Sequence, residues 1–193
     1  MAGTSPSTTA SWRTLATRSD LNPGHRPWGE NDALFRSEAT EGHKWATFVA
    51  DQLSTSGVPS TATPLEFAAD VADRDRFVNE QDVTFVHQSG FIEVKSRRLT
   101  FSGDPKSYPY RTAFVDTVTG WDKKQPKPLA VVLVSQVTSA LLVIPVSTSP
   151  KWKAVSSFDR VRQINERWYT VESSLLRPFS SFVEWMDRRA ASY

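Results

Sequence analysis

Asp82, Glu93 and Lys95 are the residues of this sequence whose types and spacing best suit chemistry. They sit in Asp-Val-Thr-Phe-Val, then His87-Gln-Ser-Gly90, then Phe-Ile-Glu-Val-Lys. Two β-prone runs around a turn-like segment predict a hairpin. Pairing Val86 with Phe91 across the four-residue loop His87–Gly90 sets Phe85 opposite Ile92, Thr84 opposite Glu93, Val83 opposite Val94 and Asp82 opposite Lys95. Paired residues share a face and successive residues alternate. Val83, Phe85, Ile92 and Val94 therefore form an apolar face, and Asp82, Thr84, Glu93 and Lys95 lie together on the other. Two carboxylates on neighbouring strands can hold a hard divalent cation such as Mg²⁺, which prefers oxygen ligands. Such an ion polarises a phosphate oxygen and acidifies water, and Lys95 is placed to orient that water and to stabilise developing negative charge. Phosphodiester hydrolysis fits these parts. A salt-bridged face of an ordinary hairpin, with Asp82 against Lys95, fits them too.

The elements that must position these residues follow from pattern. Residues 1–30 are rich in Ser, Thr, Pro and Gly without a period and read as an irregular tail; 31–193 read as one domain. A helix is expected from Asn31 as N-cap, with Leu34, Trp45, Phe48, Val49 and Leu53 at helical spacing and a stop at Gly57-Val58-Pro59. Strands are expected at Val83–Val86, Gly90–Lys95, Leu129–Val134 and Ala140–Val146. Phe158, Val161, Ile164 and Trp168 allow a helix, although Trp168–Val171 also suits a strand. A last helix begins near Pro178, with Phe179, Phe182, Val183 and Met186 on one stripe. The fold class is α/β of the α+β kind: a small mixed sheet flanked by helices.

Asp82 followed by Glu93-Val94-Lys95, on a hairpin after a helix, resembles the D…(D/E)-x-K signature of the PD-(D/E)XK nuclease superfamily, the restriction-endonuclease-like fold. The resemblance covers roughly residues 31–146 and implies a Mg²⁺-dependent nuclease acting on DNA, with Mn²⁺ as a substitute ion. It implies that Asp82 and Glu93 bind the metal, joined by the main-chain carbonyl of Val94, and that Lys95 assists the attacking water. It also implies an acidic residue from the first helix, here Glu38 or Glu41. Gln81 stands where the family often has proline before the aspartate, and Gln136 is a weak candidate for a later polar site. The superfamily includes monomers and dimers, so a homodimer is compatible with it.

Charge is unevenly distributed. The formal net charge of +2 hides an acidic stretch at 64–82 and a basic stretch at 93–127. In the basic stretch Arg97, Arg98, Lys106, Arg111, Lys123 and Lys124 are candidates for a phosphate-binding rim, and an ordinary solvated loop would look the same. The absence of cysteine excludes disulfide scaffolds, Cys-based zinc sites, iron–sulfur clusters and thiol nucleophiles. No dinucleotide, Walker or nucleophile-elbow motif occurs. The most apolar segment, Leu129–Val146, is too interrupted to span a membrane, and a cytoplasmic location is expected. A non-catalytic nucleic-acid-binding or protein-interaction module is the alternative from a different functional class.

Overall fold

The computed structural model describes residues 32–67, 81–159 and 164–191. The tail at 1–30, Asn31, Val161 and most of the acidic stretch lie outside the described residues, as do the side chains of residues 32–35.

Helix α1 (Asp32–Thr55) carries its apolar residues on one face. It stops as its residues predict. Gly57 adopts φ 91°, and the N–H groups of Gly57 and Val58 return to the carbonyls of Ser54 and Leu53. This is a glycine-closed C-terminus that satisfies the last carbonyls. Strands β1 (Ser60–Ala62), β2 (Val83–Phe85), β3 (Phe91–Arg97), β5 (Ala130–Ser135), β6 (Leu141–Pro145) and β9 (Arg177–Pro178) form one sheet in the order β1-β2-β3-β5-β6-β9. β3 and β5 pair in parallel and the other neighbours are antiparallel, so this sheet is mixed. Strands β4 (Thr112–Thr117), β7 (Lys153–Asp159) and β8 (Ile164–Glu172) form a second sheet in the order β4-β8-β7. Helices α2 (Val118–Lys123) and α3 (Phe179–Ala190) complete the chain. The fold is α+β with a mixed sheet, as its patterns imply.

Two apolar cores flank the large sheet. Ile92, Val94, Val132, Val134 and Val143 face α1 and α3, packing against Trp45, Val49, Leu53, Phe182 and Met186. Val131, Leu133, Leu142 and Ile144 face the second sheet and α2, meeting Ala113, Val115, Trp121 and Val171. Each fully buried Leu or Ile contributes about 1.5–3 kcal/mol relative to exposure. β5 is apolar on both faces because both layers cover it. β3 is different. Ile92 and Val94 are apolar, but Glu93, Lys95 and Arg97 point to the second-sheet side and are buried.

The hairpin register differs from the expected one. Val83 pairs with Ile92 and Thr84 with Phe91, two residues away from the Val86–Phe91 pairing. Beyond Phe85 the chain follows β1 instead: the Val86 N–H donates to the carbonyl of Pro59, next to the Ser60–Phe85 pair. A slip of two residues preserves which side chains share a face, whereas a slip of one would have inverted them. Val83 and Phe85 accordingly still join Ile92 and Val94 in one core.

Phe158, Ile164 and Trp168, whose spacing also allows a helix, lie in strands, and Trp168–Val171 is strand as the other reading of those residues has it. The segment is the β7–β8 hairpin, paired from Lys153↔Thr170 to Asp159↔Ile164. Its Val171 completes the second core, and β-branched and aromatic residues are more at home on that pleated surface than on a helix. Part of the basic stretch folds into β4 and α2. Among the described residues no helix is long and apolar enough to cross a membrane.

Candidate functional site

The charged face of β3 is closed by charges from the other layer. Lys95 Nζ donates to Glu93 Oε1 at 2.6 Å, which the i, i+2 spacing on one strand face allows. Lys124, at the C-terminal end of α2, donates to the other oxygen, Glu93 Oε2. Asp116 of β4 brings Oδ2 to within 3.6 Å of Lys95 Nζ. Its Oδ1 accepts the Thr117 N–H at 2.7 Å, while Oδ2, buried, finds no hydrogen-bond donor among the described residues. Asp82 lies at the edge of β3, where Oδ2 accepts the Val94 N–H at 2.8 Å just before β2 begins. Asp82 and Lys124 are the least buried members of this group, so the way to solvent lies on their side.

Asp116 reaches the interior because β4 carries a bulge. Ala113 pairs with Val171 and Phe114 with Thr170, but Thr117 pairs with Trp168 rather than following that register. The extra residue interrupts alternation, so that Val115, Asp116 and Thr117 are all buried in succession. Thr117 then caps α2, accepting the Gly120 N–H on its side-chain oxygen, and α2 delivers Lys124. One short stretch of backbone thus supplies both the third carboxylate and the second ammonium.

The electrostatics are strongly coupled. Burial alone would raise the Glu93 carboxyl, but the ammonium groups of Lys124 and Lys95 outweigh it and hold Glu93 far below the usual carboxylate range. Burial raises Asp116 above its ordinary value, against the pull of Lys95. Burial opposes charge on Lys124, yet Glu93, Asp116 and Asp82 together raise it. Arg97, next on the same face, is lowered by burial and partly restored by Tyr108 and Asp116. Buried ion pairs rarely raise net stability, because desolvation offsets the attraction. A cluster of this kind is a functional-site candidate on physical grounds.

Carboxylate oxygens are the donors a hard divalent cation prefers, but among the described residues no three acidic or imidazole side chains gather closely enough to hold a metal ion, and the nearest cation to Asp116 Oδ2 is the Lys95 ammonium. Both oxygens of Glu93 are engaged by lysines, Oε1 by Lys95 and Oε2 by Lys124.

The other expected site residues divide. Glu41 accepts from Trp45 Nε1 at 2.8 Å and faces Lys44 at 3.7 Å, both on its own helix. Glu38 is half-buried on the same helix. α1 packs on the Ile92–Val94 face, opposite the one that carries Glu93 and Lys95. Val94 contributes its N–H to Asp82, and its side chain belongs to the α1 core. Gln136 bonds Ser96 and Arg98, tying the ends of β5 and β3 together. Arg97 and Lys124, expected on an exposed rim, are buried, because the second sheet covers β3; Arg97 donates to the Ser96 carbonyl and Lys124 to Glu93. Arg98, Lys106, Arg111 and Lys123 are exposed, Arg111 lying 3.7 Å from Glu172. Asp116 escapes detection in the sequence: in Ala113-Phe-Val-Asp-Thr, strict alternation directs it outward, and only a bulge turns it in.

Comparison with known proteins finds no matching family model, no matching curated protein and no matching solved structure.

Proposed function

We propose that this chain is a Mg²⁺-dependent nuclease that hydrolyses phosphodiester bonds in DNA, Mn²⁺ being able to substitute. The observation that carries this reading is the Glu93–Lys95 pair on a buried strand face, with the carboxylate of Asp116 brought against the same lysine from a second sheet. The resemblance of Asp82…Glu93-Val94-Lys95 to the PD-(D/E)XK signature supports it.

Glu93, Asp116 and Asp82 would have to draw together to hold the ion. The chemistry a divalent cation supplies when bound is polarisation of the scissile phosphate and acidification of water. Lys95 orients the attacking water, since its ammonium is fixed between Glu93 and Asp116. The same ammonium stabilises negative charge as it develops on the phosphate. Arg98, at the end of β3, and Lys123, beside Lys124, present exposed cations to the DNA backbone, with Lys106 and Arg111 further along the basic stretch.

The test is cleavage of duplex, single-stranded, nicked and branched DNA with Mg²⁺, Mn²⁺ or EDTA. The expected result is metal-dependent cleavage that disappears in folded Glu93→Gln and Lys95→Met. Cleavage of no substrate, or cleavage that survives both changes, overturns the proposal. One observation favours the non-catalytic alternative: Glu93, Lys95 and Lys124 already satisfy one another. A purely binding module retains DNA in a salt-sensitive manner that EDTA does not alter.

A further inference from the structure

A strand at the end of a sheet leaves a row of backbone N–H and C=O groups unpaired, and proteins usually blunt such edges with short strands, proline, charge or a bulge. The end strands of the two sheets are β1, β9, β4 and β7, and the first three carry such a device. β1 is three residues long, β9 is two residues long and ends in Pro178, and β4 is interrupted by its bulge. β7 is different. It runs seven residues, Lys153–Asp159, without proline, and its register with β8 is continuous from end to end. Its charged residues stand only at its two ends. Among the described residues no strand pairs with its other side. Lys153, Ala154, Val155, Ser156 and Phe158 are exposed, Val155 by 37% and Phe158 by 50%, so apolar side chains in water accompany the open backbone.

We propose that β7 is a self-complementary docking edge, through which two copies of the chain pair antiparallel about Ser156 and join their second sheets into one six-stranded sheet. Alternate residues of β7 turn their backbone groups toward β8, and the others turn them outward. Two copies present the same outward residues, so the two-fold axis of an antiparallel pair falls on a residue and not between two. With the axis on Ser156, the central residue, all seven residues pair. Lys153 then stands opposite Asp159 of the second copy, Ala154 opposite Phe158, Val155 opposite Ser157, and Ser156 opposite itself. Residues of opposite charge meet at both ends and each Phe158 meets a small residue, while no like charges face each other. An axis on Val155 or Ser157 leaves two residues of each strand unpaired and separates Lys153 from Asp159. Lys153 also lies 3.4 Å from Glu172 of its own chain, and an exposed ammonium has donors enough for two carboxylates. Seven residues per copy is small beside the roughly 20–30 a side of a standard interface, so the dimer is a weak one that forms in the micromolar range. Nothing in this pairing depends on the nuclease reading.

The experiment is sedimentation velocity of the full chain from about 1 to 200 µM, a range that brackets micromolar association. Wild type, Ser156→Lys, Ser156→Glu and an equimolar mixture of these two variants are compared. Val137→Lys is the control, because Val137 is an exposed apolar residue away from β7, between β5 and β6. Wild type is expected to pass from monomer to dimer. Only an axis on Ser156 makes this residue face its own copy. Each Ser156 variant therefore sets like charges opposite one another and is expected to weaken association by about tenfold. The mixture sets lysine against glutamate and is expected to regain the dimer, and Val137→Lys is expected to match wild type. Circular dichroism checks folding, and Phe158→Lys, expected to weaken association likewise, replaces the Ser156 variants if they do not fold. A wild type that stays monomeric throughout, as it would if another segment of the chain covered β7, overturns the inference. So does a dimer that the β7 variants leave intact, a mixture no more dimeric than its components, or an equal loss of dimer in Val137→Lys.

Discussion

Asp116 Oδ2 lies 3.6 Å from Lys95 Nζ, although the two residues belong to different sheets. The contact exists because a bulge in β4 turns Asp116 inward at the level where β3 exposes its only charged face. Bulges next to active sites commonly re-aim a side chain in this way.

The first prediction concerns the cost of that placement. Asp116 holds a buried carboxylate oxygen without a donor, which opposes folding at neutral pH. Asp116→Asn is expected to keep or raise the thermal midpoint while lowering metal-dependent cleavage by about 10–100-fold, the range for residues that support a metal site. A purely structural Asp116 would instead lose stability and activity together.

The second concerns the pairing at Glu93. Removing it leaves Lys95 and Lys124 facing one another in a buried space. Glu93→Ala is expected to destabilise the fold by about 3–5 kcal/mol in urea unfolding, as for other broken buried pairs. Adding Lys124→Met should restore part of that loss. A double-mutant cycle measures the coupling, and additive losses would mean that the two side chains do not interact.

The third concerns pH. Glu93 has a folded value below its unfolded one, so its stabilisation is complete above about pH 4 and disappears as pH falls through the lower folded value. Asp116 is raised, so the opposite holds. Its charge weighs against folding at neutral pH, and the penalty is relieved as pH falls through the raised value. The stability advantage of Asp116→Asn over wild type should therefore be largest near pH 7–8 and shrink on acidification. Urea midpoints across that range check it, and an advantage that grows in acid would contradict it.

The fourth concerns the start of β3. Gly90 has φ 113°, and a Cβ there would meet Leu129 Cδ1 at 2.9 Å. Gly90→Ala is expected to cost about 1–3 kcal/mol, the usual range for a residue forced into such backbone. Chemical denaturation reads this directly. A loss below about 0.5 kcal/mol would mean that the turn relaxes without disturbing β3, since harmless surface changes stay within that size.

Much of this is legible in the sequence alone. Helical spacing located Trp45, Val49 and Leu53 on α1, and alternation set Ile92 and Val94 apart from Glu93 and Lys95. Those signals are local: each depends on a period that a few neighbouring residues declare. The sorting even survived a wrong register, because strand faces repeat every two residues and the error was two. The β7–β8 hairpin was half legible: Trp168–Val171 suits a strand, but Phe158, Ile164 and Trp168 also satisfy a helical period, and pairing with β7 and with β4, far earlier in the chain, decides for the strand.

The sequence by itself determined that Glu93 and Lys95 share a strand face and stand near Asp82. Residues two apart on one strand have no freedom to do otherwise. Only the tertiary structure decided what encloses them. The second sheet buries Lys124 and Arg97, which composition alone assigns to a solvated rim. It brings Asp116 across from β4 through one inserted residue that no periodicity announces. It also places α1, with Glu38 and Glu41, on the far face of the large sheet. Such choices depend on which layers pack together and where a register shifts, and those are set by contacts between residues far apart in the chain.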